Sequence, residues 1–197
     1  MALQIPGGLF KQRDVRETNL EDITAGKVKR TQYGTISIPA LSVTNTSTVT
    51  EVVPENSLLI FLGTVVNADS GTNMDDATAR ITLTNSTTIT ATRQGSGDDI
   101  VVSYCLVEFE EGIVKSTEEG LMNFTNTDFM IDYPINQVDT SKSMISYLGY
   151  TNTNTKDNYL YMIYWPSISF KNSTVLAGSM GVSERIGSVA FQVMEFN

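Results

Sequence analysis

Residues 28–34 read VKRTQYG and residues 114–120 read VKSTEEG, sharing Val, Lys, Thr and Gly at the same places 86 residues apart. One match of this length carries little weight; its persistence along the chain decides the reading. Residues 57–63 (SLLIFLG) fall on 143–149 (SMISYLG) at the same displacement, and 79–87 (ARITLTNST) fall on 166–174 (PSISFKNST) one residue later. The endings LVEF (106–109) and VMEF (193–196) agree at a displacement of 87. Four matched blocks in one order divide the chain into an N-terminal arm, 1–27, and two homologous modules, 28–111 and 112–197.

Within each module apolar residues recur at every second position, which is the period of a strand and not of a helix. Ile81 and Leu83 share one face and Arg80 and Thr82 the other; Ile168 and Phe170 alternate in the same way with Ser167, Ser169 and Lys171. Hydroxyl and β-branched residues, as in TNSTTITATR (84–93), suit a half-buried pleated surface. Polar turn clusters at 67–76, 94–99 and 151–158 punctuate these runs. Six short strands per module follow, near 32–38, 47–53, 57–65, 78–84, 87–93 and 99–109 in the first. The expected fold is all-β, with two tandem antiparallel β-sandwiches of Ig-like or jelly-roll-like type behind an extended arm. A single larger sandwich with exchanged strands is the alternative. Only the arm, around 15–23, is expected to hold a short helix. Modules of this size sit near the lower limit for a self-sufficient core, so a homo-oligomer is expected.

Composition removes classes of chemistry. The chain has 197 residues and no histidine, which leaves no histidine base, nucleophile partner or metal ligand. Its single cysteine, Cys105, excludes structural zinc and internal disulfides. The expectation is a protein that is not an enzyme, with no cofactor and no metal. Charge is uneven: the first thirty residues carry six basic and four acidic side chains, the rest seven and eighteen. An acidic body repels nucleic acid and anionic lipid and attracts basic partners. Neither nucleic acid nor membrane is expected as a partner. Residues 1–27 lack the apolar run of a secretory signal, and no stretch is long enough to span a bilayer, which points to synthesis and retention in a cytosol. The N-x-S/T triplets at Asn45, Asn85, Asn123 and Asn172 are ordinary in so Ser/Thr-rich a chain.

Candidate sites are few. The run YLYMIYWP (159–166) places Tyr159, Tyr161 and Trp165 on one strand face and Tyr164 on the other. Such a row serves as core, as a subunit contact, or as a platform for sugar rings, because tyrosine and tryptophan join apolar area to a polar handle. Asn67, Asp69, Asn73, Asp75 and Asp76 supply hard oxygens in one loop but lack the alternation and closing glutamate of an EF-hand. Adjacent acids in a strand point to opposite faces, so none of the acidic doublets makes an acid/base pair. Glu108 and Glu195 are expected to face outward. In the arm, Leu9 and Phe10 are apolar anchors and Arg13 and Arg16 pair with acids on a partner; such a segment orders only by adding itself to a neighbour.

The strand ending in Gly34, the SLLIFLG strand, the RITLTNSTTITATR hairpin and the closing SYCLVEF strand together resemble small β-sandwich modules of structural proteins in tailed bacteriophages. The pattern covers 28–197, with YWPSISFKNSTVLAG standing in place of the hairpin in the second copy. The resemblance implies a virion protein, made in the host cytoplasm, that decorates the capsid or belongs to the tail or baseplate, with other virion proteins as partners. It supplies no catalytic residue. The alternative is a carbohydrate-binding adhesin that presents the aromatic row to host-surface glycan.

Overall fold

Alternating apolar and polar residues at the predicted places form twelve strands in the computed structural model, which describes residues 27–67, 73–125, 128, 130–152, 166–180 and 187–197. In the first half these are β1 (Val28–Ile38), β2 (Thr44–Thr48), β3 (Ser57–Asn67), β4 (Ala79–Asn85), β5 (Thr88–Arg93) and β6 (Asp99–Phe109). In the second they are β7 (Val114–Phe124), β8 (Met130–Pro134), β9 (Ser143–Asn152), β10 (Ser167–Asn172), β11 (Val175–Ser179) and β12 (Gly187–Phe196). The described chain is all-β, and every ladder is antiparallel.

The pairings of the first half recur in the second. β6 lies between β1 and β3 as β12 lies between β7 and β9, and β5 lies between β2 and β4 as β11 lies between β8 and β10. The recurrence reaches single hydrogen bonds. Val49 and Val52 donate their N–H groups to the Thr87 and Ser86 carbonyls at 2.8 and 2.9 Å, and Ile135 and Val138 donate to Thr174 and Ser173 at 2.9 Å each. The hairpin turn before β5 is closed by Asn85 Oδ1, which accepts the Thr87 N–H and hydroxyl; Asn172 does the same for Thr174 before β11. Such Asx turns let an asparagine replace a backbone acceptor. The second half therefore keeps the hairpin despite its different sequence.

Two apolar clusters form the core. Ile36, Leu59, Ile81, Ile89, Ile100 and Leu106 lie in the first, and Met122, Phe124, Leu176, Val189, Phe191 and Val193 in the second. The glycines of the two opening motifs have one spatial reason. Gly34 faces Tyr104 across the ladder and Gly120 faces Phe191, and a Cβ on either glycine would run into that ring.

The sheets do not stop at the midpoint of the chain. β4 meets β9 at Arg80 and Gly149, so that six strands run in the order β2-β5-β4-β9-β12-β7.

Three expectations are corrected. The second strand begins at Thr44 and stops at Thr48 rather than running over 47–53. Val49 and Val52 are both buried, and a strand cannot turn residues three apart to one face, so the chain leaves the ladder before the turn at Pro54–Asn56. A one-turn helix, α1 (Met74–Ala77), occupies a loop read as a plain turn; Met74 is buried, and its carbonyl accepts the N–H and hydroxyl of Thr78. Glu108 and Glu195 point inward, at 1% and 2% exposure. Each is held there by a lysine at 2.8 Å, Lys29 for Glu108 and Lys115 for Glu195.

Candidate functional site

The residues that the sequence marks for binding, Leu9, Phe10, Arg13 and Arg16 in the arm and Tyr159, Tyr161, Tyr164 and Trp165 in the aromatic row, lie outside the described residues, as do Asp69 and the helix expected around 15–23. What the structure does assemble is a seam between the two halves, which no motif announced.

The seam is built by the face of β7, β12 and β9 that points away from the second core. Leu121, Ala190 and Leu148 on this face join the core of the first half. Beside them two polar side chains satisfy the edge of β3. The Gln192 carboxamide accepts the Leu59 N–H at 2.9 Å and donates to the Ser57 carbonyl at 2.8 Å, while the Ser146 hydroxyl donates to the Leu59 carbonyl. An edge strand buried without such partners would strand several backbone groups. At the ladder contact Gly149 has φ +98°, and a Cβ there would lie 2.3 Å from the Ala79 carbonyl oxygen. Only glycine permits both the left-handed backbone and this approach. The Thr78 hydroxyl accepts the Asn152 N–H at 3.2 Å, and the Thr117 hydroxyl donates to the Glu55 carbonyl at 2.9 Å, pinning the seam at its two ends.

The equivalent face in the first half, on β1, β6 and β3, is open among the described residues. Leu62, which corresponds to the buried Leu148, is 54% exposed; Tyr33 and Val65 nearby are more exposed still. Gly63, the counterpart of Gly149, shares its left-handed backbone at φ +120° with nothing within 4 Å of a Cβ. Cys105 stands where Gln192 stands in the second half. Burial pushes its thiol up in pKa, against a smaller opposing contribution from the Tyr33 hydrogen bond, so it is a poor nucleophile.

Glu108, Glu195 and Arg93 are held by specific partners, whereas Arg80 Nε and Asp75 Oδ1 are buried without a hydrogen-bond partner among the described residues. Burial raises Glu108, but the Lys29 ammonium and the Val53 N–H together outweigh it, and its pKa lies below the usual carboxylate range. Glu195 is lowered by Lys115 and by the Asp139 N–H, the same arrangement one repeat later. Arg93 is almost wholly buried and donates to the carbonyls of Pro39, Ser42, Asp76 and Asp98, tying three loops at one end of the first half. Burial, and then the charge of Asp76, raises the neighbouring Asp75. The described part of the acidic loop thus serves this knot: Asp76 Oδ1 accepts the Gly97 N–H at 2.5 Å, and the Asp75 carbonyl accepts that of Gly95. Among the described residues no group of three or more acidic, Cys or His side chains is placed to hold a metal.

The repeat alignment carried part of the signal for the seam, since Ser146, Leu148 and Gly149 lie in the matched block 143–149. Leu121 replaces Thr35, Ala190 replaces Ser103, Gln192 replaces Cys105 and Ser146 replaces Ile60. The seam combines positions that the two halves share, Leu148 and Gly149, with positions at which they differ.

The chain matches no family model, no curated protein and no solved structure.

Proposed function

We propose that this chain is a non-enzymatic structural protein of a tailed-phage virion, acting as a capsid decoration or a tail or baseplate component, and present in the host cytoplasm during assembly. In this reading it comprises two tandem antiparallel β-sandwich modules, 28–111 and 112–197, that arose by duplication, behind an arm that grips other virion proteins. The observation that carries it is the seam: the halves are joined by shared core, backbone clamps and one continuous sheet, with only four residues between β6 and β7. That arrangement yields a stiff body and serves load-bearing better than it serves catalysis, which draws on mobile loops over a polar cleft. The buried carboxylates Glu108 and Glu195 are committed to lysines, which is a structural use of charge.

The test is a deletion of residues 1–27. The remaining chain is expected to keep its melting temperature and to lose incorporation into particles. Normal assembly of the truncated protein would sink the anchoring role, and retained activity on any substrate with purified protein would sink the non-enzymatic one.

The aromatic run at 159–166 motivates a second reading, a glycan-binding adhesin. A glycan array comparing wild type with Tyr161→Ala separates the two: specific sugar binding lost in the variant favours the adhesin.

A further inference from the structure

We infer that a second copy of this chain docks on the first by repeating the in-chain seam, with the open face of β1, β6 and β3 of one copy covering the β9–β10 end of the next. The inference rests on the reading of the halves as repeats of one module, and not on where in a virion the protein sits.

The seam has a donor face and a receiving end, and each half carries both. Inside the chain the donor face is the second half's and the receiving end is the first half's. The other two remain unused among the described residues. The unused donor face keeps two features that the used one buries: Leu62 in the place of Leu148, and Gly63 in the place of Gly149 with a positive φ of its own but no neighbour to approach. The receiving end shows the complementary difference. Leu59 and Ile81 are completely buried where the second half covers them, whereas their counterparts Ile145 and Ile168 are only half-buried. β4 pairs on both sides, with β5 and β9, while β10 pairs only with β11 among the described residues. An unpaired edge in one half and an exposed face in the other, each the counterpart of a surface used in the seam, fit a head-to-tail contact.

Several substitutions bear on the fit: besides Thr35 for Leu121, Ser103 for Ala190 and Ile60 for Ser146, two change the backbone contacts. Pro166 replaces Ala79, the residue against which Gly149 packs. Proline withholds an N–H but keeps its carbonyl, and it is the carbonyl of Ala79 that faces Gly149, so the contact survives the change. Cys105 replaces Gln192, so the copy-to-copy seam lacks the carboxamide clamp. With Thr35 and Ser103 also replacing Leu121 and Ala190, it is the weaker of the two, reversible, and visible as association that grows with concentration. Because donor and receiver are different surfaces, the contact is heterologous, and its repetition closes a ring or extends a filament.

The experiment uses full-length protein in sedimentation velocity, with Leu62→Asp on the donor face and Ile168→Asp on the receiving end. Circular dichroism melts check that each variant is folded. Wild type is expected to associate from micromolar concentration upward, and each variant alone to be a monomer, its dissociation constant raised about tenfold or more. Each variant retains the surface that the other has lost, so an equimolar mixture is expected to form dimers that grow no further. A wild type that stays monomeric overturns the inference, as do variants that assemble like wild type or a mixture that remains monomeric. The tandem-module reading is judged separately, by whether residues 28–111 and 112–197 superimpose in an experimental structure.

Discussion

The Gln192 side chain grips Leu59 across 133 residues of sequence, accepting its N–H at 2.9 Å in a site closed to solvent. With its second bond, to the Ser57 carbonyl, one carboxamide supplies both partners that an edge strand would otherwise find in a neighbouring strand.

Gln192→Leu should therefore cost about 2–4 kcal/mol of unfolding free energy, since it leaves a buried donor and a buried acceptor unpaired while keeping the volume filled. Urea denaturation measures this. A loss well under 1 kcal/mol would mean that the seam is not held by this clamp.

Gly149→Ala and Gly63→Ala impose the same left-handed strain, about 1–2 kcal/mol. The first adds a collision with the Ala79 carbonyl and the second adds none. Gly149→Ala should be the more destabilising by a clear margin in parallel thermal melts, and equal losses would contradict the close approach.

Arg93→Met installs the residue that the second half carries at the same place, Met180. Four carbonyls lose their donor and the acids around them lose their counter-charge. The expected cost is about 3–5 kcal/mol, with early loss of protection in hydrogen exchange around residues 39–43 and 94–98. A variant as stable as wild type would show that the loops hold without the knot.

Acid should weaken the fold through Glu108 and Glu195. Both have folded-state pKa values below their unfolded ones, so the stability they contribute is present above the unfolded value of about 4.3 and is lost as pH falls through the folded value. Asp75, raised on folding, works in the opposite sense and gains as pH falls. Glu108→Gln should lower stability at neutral pH and flatten its decline in acid. An unchanged slope would assign the acid response to other groups.

Much of this fold was legible in the sequence because the repeat multiplied each weak strand signal. The strand around Ile81 was ordinary by itself and persuasive once Ile168 and Phe170 repeated its alternation. Strand ends were less legible where burial broke the period, as at Val49 and Val52. Glu108 and Glu195 were misjudged because a glutamate in a strand reads as solvent-facing until the lysine opposite it, some 80 residues away, is known. The seam was hidden for a related reason: Gln192 and Ser146 are unremarkable as residue types, and their value lies in backbone groups brought to them only by folding.

The distance in sequence between Leu59 and Gln192 also sets an order of events during synthesis. At about 5–20 residues per second, the ribosome takes on the order of ten seconds to pass from one to the other. Once β6 is made, and until β9 and β12 follow, the first half has its own strands around a hydrophobic interior with one side uncapped and an unpartnered β3 edge. On a polysome the nearest second half able to cap it can belong to a chain further along the same message, so exchange between nascent chains competes with closure within one chain.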